Sequence, residues 1–130
     1  MNELIHILNE IRSGKTICTD KFKGVDLDEE LDLRDESAFD TAWRSAYEYI
    51  HEMYREDIEI GGEEAKLIDE IRKESYITVS NATSQHEIAS YISDDFELIC
   101  KNILVGAKDS FVDTMLKEYR EGNFLRVLRS

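Results

Sequence analysis

Two Glu-x-x-His spacings are the residues of this chain that come closest to a catalytic motif. Glu3 and His6 form the first pair, and Glu48 and His51 form the second on a later segment. Di-metal carboxylate bundles use this spacing on two of their helices, so the chain holds half of such a ligand set. At about 100° per residue, however, His6 and Glu48 point away from the apolar stripes of their segments. Metal ligands must project into the bundle. We therefore expect no metal and no cofactor. A small metal-dependent enzyme stays as the second alternative function.

A phosphate-loop fragment is also incomplete. Gly14, Lys15 and Thr16 match the end of the nucleotide-binding motif, but Asn9 stands where that motif requires its first glycine. Gly14 as a helix stop explains the same residues. Since the three histidines of the chain are scattered, they offer no nucleophile set either. We expect no catalytic residues and no enzyme activity.

The negative charge of the chain is concentrated in its middle. The formal net charge is −13, and residues 26–100 carry 22 acidic but only six basic residues, while both ends are slightly basic. Such a field repels nucleic acid and anionic lipid and attracts basic protein surfaces or metal cations. We therefore expect a basic protein partner, no direct contact with nucleic acid and no membrane association.

Two acidic features are candidate partner-binding elements. On the outer face of a long predicted helix, Glu48, Glu52 and Glu56 recur every fourth residue beside Tyr49. An exposed tyrosine supplies contact area while the carboxylates select a basic partner. The second feature is the acidic stretch that contains Asp26, Asp28, Glu29, Glu30 and Asp32. The alternative interpretations are a solvated helix face for the first feature and a mobile acidic loop for the second.

The apolar pattern predicts a single all-α domain over residues 1–130, with about five helices in an orthogonal or bundle-like arrangement. Six glycines divide the chain into segments that mostly have the helical period, and the sequence contains no proline. A loop is expected at about residues 15–35. The first predicted helix ends near Gly14, the second is capped by Asp35 or Ser37 and runs to about Glu56, and the third begins after Gly61-Gly62. The fourth begins with a capping box at Ser84, and the last spans about Ala107 to Glu121.

Two positions leave alternatives open in this pattern. Tyr76–Val79 is rich in β-branched residues and could form a short strand, but without a partner strand we interpret it as the end of a helix. Asp95 falls on the apolar face of the fourth helix. Either that helix breaks there, with Asp94 capping a new one, or Asp95 is buried and paired.

These features favour an acidic cytoplasmic protein-interaction module. There is no apolar run near 18 residues, and the N-terminal segment lacks the pattern of a signal peptide. By analogy, a small acidic helical protein suits an inhibitor of a basic protein, of the immunity or antitoxin type. The alternative is a DNA mimic or regulatory protein that occupies a basic nucleic-acid groove. The charge pattern specifies neither the oligomeric state nor the identity of the partner.

Overall fold

The computed structural model describes residues 2–17, 19–24, 26–57 and 61–122. Within these ranges the chain forms six α-helices and a 3₁₀ turn at Thr19–Phe22, and no strand. The predicted all-α class is confirmed. The sequence also predicts an apolar tail of Phe124, Leu125 and Leu128 after the last helix, and these residues lie outside the described ranges. The helices are α1 (Asn2–Arg12), α2 (Leu27–Arg34), α3 (Ser37–Glu56), α4 (Gly62–Thr83), α5 (His86–Val105) and α6 (Ser110–Glu121).

Helix α5 lies at the centre of the domain, where it packs against α3, α4 and α6. Half of its residues are buried. The apolar spacing of this segment predicts an inner stripe of Ile88, Ile92, Ile99 and Ile103, of which the first three are buried and Ile103 is partly buried. Helix α1 packs against α4 through its own apolar stripe. Each fully buried side chain of this size contributes roughly 1.5–3 kcal/mol. Among the described helices, none is both long and apolar enough to cross a membrane.

The junction between α4 and α5 differs from the predicted capping box. Helix α4 continues through Tyr76–Val79 to Thr83, so the helical interpretation of that segment is confirmed. Ser84 is the residue that ends α4, in the left-handed conformation with φ of 54°. Gln85 is the N-cap of α5, and its Oε1 accepts a hydrogen bond from the Glu87 amide at 3.3 Å. The prediction of a capping box at Ser84 was wrong, because Ser84 is the C-cap residue of α4 and not the N-cap of α5.

Two further helix starts are also shifted. The N-cap of α3 is Glu36, which makes no side-chain capping bond, so neither Asp35 nor Ser37 caps this helix. Helix α6 begins at Ser110, where Asp109 Oδ1 accepts from the Val112 amide at 3.1 Å. Both helices otherwise end near the predicted positions.

The predicted loop at about residues 15–35 is the main error of the sequence-based fold. It contains the 3₁₀ turn and the two-turn helix α2. The inward positions of α2 have helical spacing, but two of them hold charged residues, Glu30 and Arg34, beside the apolar Leu31. Because charged residues occupy part of the inner face, no apolar period marks this helix. The acidic segment is therefore an ordered part of the surface.

Candidate functional site

Asp95 lies at the centre of a buried hydrogen-bond network that joins four helices. Its side chain is fully buried on α5. Its Oδ1 accepts from Arg34 Nη2 of α2 at 2.7 Å and from Trp43 Nε1 of α3 at 2.9 Å. Its Oδ2 accepts from the Tyr119 hydroxyl of α6 at 2.5 Å. Since α5 is continuous through Asp94 and Asp95, the second of the two alternatives is correct: Asp95 is buried and paired.

The charges of this network keep both Arg34 and Tyr119 in the donor form. Burial acts to lower the pKa of Arg34, but the charge of Asp95 and the interactions of Arg34 with Asp95 and Tyr119 together outweigh it and raise that pKa above its usual value. Burial and the Asp95 charge raise the pKa of Tyr119 well above its usual value. The Arg34 guanidinium also lies over two aromatic rings, 4.7 Å from the centroid of Phe39 and 5.4 Å from that of Tyr91.

A cleft of about 330 Å³ opens over this network, between the end of α2 and helices α3 and α5. Arg34 and Asp95 are its buried members, and three half-buried aromatic rings form its walls. Aspartates outnumber arginines around it, so its lining is acidic. The cleft is lined by Arg34, Asp35, Phe39, Asp40, Trp43, Arg44, Tyr91, Asp94 and Asp95.

The rim carboxylates of the cleft have partners that are themselves solvent-accessible. Arg44 Nε lies 3.1 Å from Asp40 Oδ2, and the Arg44 side chain is 74% exposed. Arg72 Nη2 lies 2.9 Å from Asp94 Oδ1, also in a partly exposed pair. Burial raises the pKa of Asp94, and the charge of Arg72 only partly opposes this. Exposed pairs contribute about 0–1 kcal/mol each, so the rim carboxylates can exchange partners at small energetic cost.

The outer face of α3 continues from this rim. Asp40 and Arg44 line the cleft, and Glu48, Glu52 and Glu56 follow at the same four-residue interval. Residues four apart lie on one ridge of a helix. The predicted glutamate ladder and the cleft therefore belong to one surface.

The structure places the predicted α3 residues outward. Glu48, Glu52 and Glu56 are exposed, and Tyr49 is 55% exposed, which makes it one of the largest exposed apolar side chains described. Their orientation agrees with the helical phase predicted from the sequence. Their part in partner binding stays a prediction.

Four of the five predicted residues around α2 are exposed, namely Asp26, Asp28, Glu29 and Asp32. Asp26 Oδ1 also accepts from the Glu29 amide at 3.1 Å and so orders the start of α2. Glu30 is the correction: its side chain is fully buried and cannot contact a partner docked on this surface. It lies on the inward face of α2 beside Leu31. The predicted loop gave no reason to expect a buried side chain at this position.

The two Glu-x-x-His spacings are not brought together into a site. His6 is exposed and lies 3.4 Å from Glu10 on its own helix. His51 stacks against Tyr47, with ring centroids 5.1 Å apart. In the part of the chain that the structure describes, no three His, Cys, Asp or Glu side chains are grouped as a metal site.

Sequence reasoning did not identify Arg34, Trp43 and Tyr119 as partners of one carboxylate. One signal was available, because an aspartate on an apolar helix face requires buried donors. Which donors reach it depends on how four helices pack, and no local pattern encodes that. The cleft depends on the same packing.

The chain is similar to a known protein family over nearly its whole length. A family model described as Immunity protein PIM1 matches residues 6–125. The matched range takes in α2 to α6 and most of α1. A search of curated proteins found no match. Because the family model covers nearly the whole chain, the protein belongs to the PIM1 immunity protein family.

Proposed function

We propose that this protein neutralises a basic toxin by binding it through the acidic surface of α2 and α3. Membership of an immunity protein family supports a toxin as the protein partner and inhibition without catalysis as the mode of action. The observation that carries the location is the ridge formed by Asp40, Arg44, Glu48, Glu52 and Glu56. It is exposed along α3 and begins at the cleft.

The charge of this surface favours fast and selective association. Residues 26–100 carry the acidic excess of the chain, and both α2 and α3 lie within it. A field of one sign accelerates the encounter with a partner of opposite sign and disfavours acidic competitors. The toxin surface that docks here would be rich in lysine and arginine.

Tyr49 is the proposed anchor of the interface. A half-exposed tyrosine among carboxylates can bury apolar area against the partner with little loss of side-chain entropy. It projects beside the ridge of Glu48, Glu52 and Glu56, and the exposed acids Asp26, Asp28, Glu29 and Asp32 extend the surface to α2. Because both helices are ordered, little conformational entropy would be lost on binding.

Coexpression in bacterial cells tests this function. The toxin is sought as the product of the gene beside the one that encodes this chain. Cells that express the toxin should survive when the wild-type chain is present, and the two proteins should copurify. We also propose that the complex forms in the cytoplasm, where cell fractionation should recover it. Cell death in the presence of folded, abundant chain would rule out neutralisation of that toxin.

A further inference from the structure

We infer that the cleft between α3 and α5 receives one arginine side chain of the toxin and is the anchor pocket of the interface. This inference rests on the proposed function and deepens it, because it names the kind of partner residue that the surface selects. The cleft differs from the ridge of Glu48, Glu52 and Glu56, which attracts basic charge but has no defined pocket.

The size and walls of the cleft suit a single planar cation. A volume of about 330 Å³ is near the lower end of the roughly 300–1,000 Å³ found for ligand pockets, so it suits one long side chain. Its walls are the half-buried rings of Phe39, Trp43 and Tyr91. Guanidinium groups stack on such rings. Arg34 lies over the rings of Phe39 and Tyr91, so cation–π contact between these rings and a guanidinium already occurs in this fold.

The charges of the cleft leave the rim, and not the floor, to bind an incoming cation. Asp95 accepts from three donors and is paired with Arg34, so the floor is neutral as a unit. At the rim, exposed Asp35 accepts a long hydrogen bond of 3.4 Å from the Tyr91 hydroxyl. Asp94 is half-exposed and shares Arg72 with Glu97. A guanidinium has five donors, so it can bind two rim carboxylates at once.

Arg44 is the residue that an incoming arginine must displace. It lines the cleft and pairs with Asp40, but its side chain is largely exposed. Such an exposed pair is weak, so the Arg44 side chain can turn to solvent while the Asp40 carboxylate binds the incoming arginine. The variant Arg44→Ala should therefore bind an arginine probe more tightly than the wild type.

Trp43 provides a direct readout, because it is the single tryptophan of the chain and lines the cleft. The probe is the peptide acetyl-Gly-Arg-Gly-amide, and its control replaces arginine with uncharged citrulline of nearly the same shape. Titration of the full chain is followed by Trp43 fluorescence and by the NMR shift of the Trp43 indole N–H. We expect a saturable response to the arginine peptide, about tenfold weaker with citrulline, as for the loss of ~1.4 kcal/mol.

Two double variants with the same loss of charge make the test specific. Asp35→Asn with Asp94→Asn should weaken arginine binding about tenfold. Glu48→Gln with Glu52→Gln lies on the same surface outside the cleft and should change arginine binding by less than about twofold, because these exposed charges lie about one and two turns beyond Arg44 and are screened by salt. Melting curves confirm that each variant is folded.

Several results would overturn the pocket. These are no Trp43 response to the arginine peptide, an equal response to citrulline, or equal weakening by both double variants. Since none of these titrations uses the toxin, they leave the proposed neutralisation to be judged by the coexpression result. Protection by the chain with an unresponsive cleft would place the interface on the ridge alone.

Discussion

Arg34 and Asp95 are 61 positions apart in the sequence and form a 2.7 Å ion pair in the interior of the domain. Their side chains are 7% and 0% exposed. Arg34 is the last residue of α2 and Asp95 lies on the central helix α5, so the pair fixes the acidic helix to the core. The same pair closes the floor of the cleft. The acidic surface is thus held in place by a buried charge of opposite sign.

Removal of one partner of this pair should be strongly destabilising. In Asp95→Asn the buried Arg34 charge loses its counter-ion, and we expect a loss of about 3–5 kcal/mol in the free energy of unfolding by urea. The double variant Arg34→Met with Asp95→Asn should lose less than Asp95→Asn alone, because neither charge of the pair then remains in the interior. If the double variant loses as much free energy of unfolding as Arg34→Met and Asp95→Asn lose together, the result would argue against the ion pair.

The hydrogen bond from Tyr119 to Asp95 should affect stability at alkaline pH. Burial and the Asp95 charge raise the pKa of Tyr119 above its unfolded value of about 10. The folded state therefore retains this proton, and its stabilising effect is complete below about pH 10 and is lost as the pH rises through the folded pKa. Tyr119→Phe should cost about 1.5–3 kcal/mol at neutral pH.

The pH profile separates this effect from simple loss of packing. Tyr119→Phe should show a shallower decline of stability above about pH 10 than the wild type, because the titrating group is gone. Unfolding by urea at a series of pH values measures this difference. Parallel declines in the two proteins would show that Tyr119 does not carry the alkaline dependence.

Periodicity predicted the helices whose inner faces are apolar, and failed where that face is charged. The apolar spacing predicts Leu4, Leu8 and Ile11 of α1 and Leu67, Ile68 and Ile71 of α4 as inward residues, and all are buried except Leu67, which is partly buried. Helix α2 was missed because its inward face depends on an ion pair with a residue 61 positions away. The helical spacing of α3 places Trp43 on its apolar inner face and predicts a core residue, but Trp43 is half-buried, since its indole N–H reaches Asp95 and one side lines the cleft.

The exposed candidate residues could be predicted because exposure follows from helical phase. Glu48 and Tyr49 point outward, as the phase of α3 required. Glu30 could not be placed without knowing that α2 is a helix. The cleft arises from three helices that meet around Asp95, so its rings and carboxylates share no local pattern.

An ion-pair cluster between α1 and α6 should make stability depend on acid pH. Arg120 Nη2 lies 2.9 Å from Glu10 Oε1 and 3.0 Å from Glu3 Oε1. Burial acts to raise the pKa of Glu10, but hydrogen bonds from Arg120 and Thr16 and the charge of Arg120 lower it overall. A lowered carboxyl pKa stabilises the fold above the unfolded value of about 4.3, and this contribution is lost as the pH falls through the folded pKa.

Arg120→Gln tests this assignment. Its melting temperature should be below that of the wild type at neutral pH, and the difference should narrow below about pH 4 as Glu10 is protonated. Arg12→Gln is the matched control, because Arg12 is half-exposed and its pairs with Glu70 and Glu74 are longer, at 3.7 and 3.6 Å. A difference for Arg120→Gln that is unchanged by acid would contradict the role of Glu10.

The affinity for the toxin of two triple variants tests the central claim most directly. The first changes the proposed surface by Glu48→Gln, Tyr49→Ala and Glu52→Gln. The control removes two exposed charges and one exposed apolar side chain from α4 by Glu63→Gln, Asp69→Asn and Ile77→Ala. Both sets lie on exposed helix positions, so both variants should fold like the wild type.

Isothermal calorimetry with the purified toxin gives the comparison. The α3 variant should lose at least about 2 kcal/mol of binding free energy, or roughly thirtyfold in affinity, because it lacks the tyrosine anchor and two selecting charges. The α4 variant should bind within about threefold of the wild type. Wild-type affinity for the α3 variant, or equal losses in both, would contradict toxin binding through the acidic face of α3.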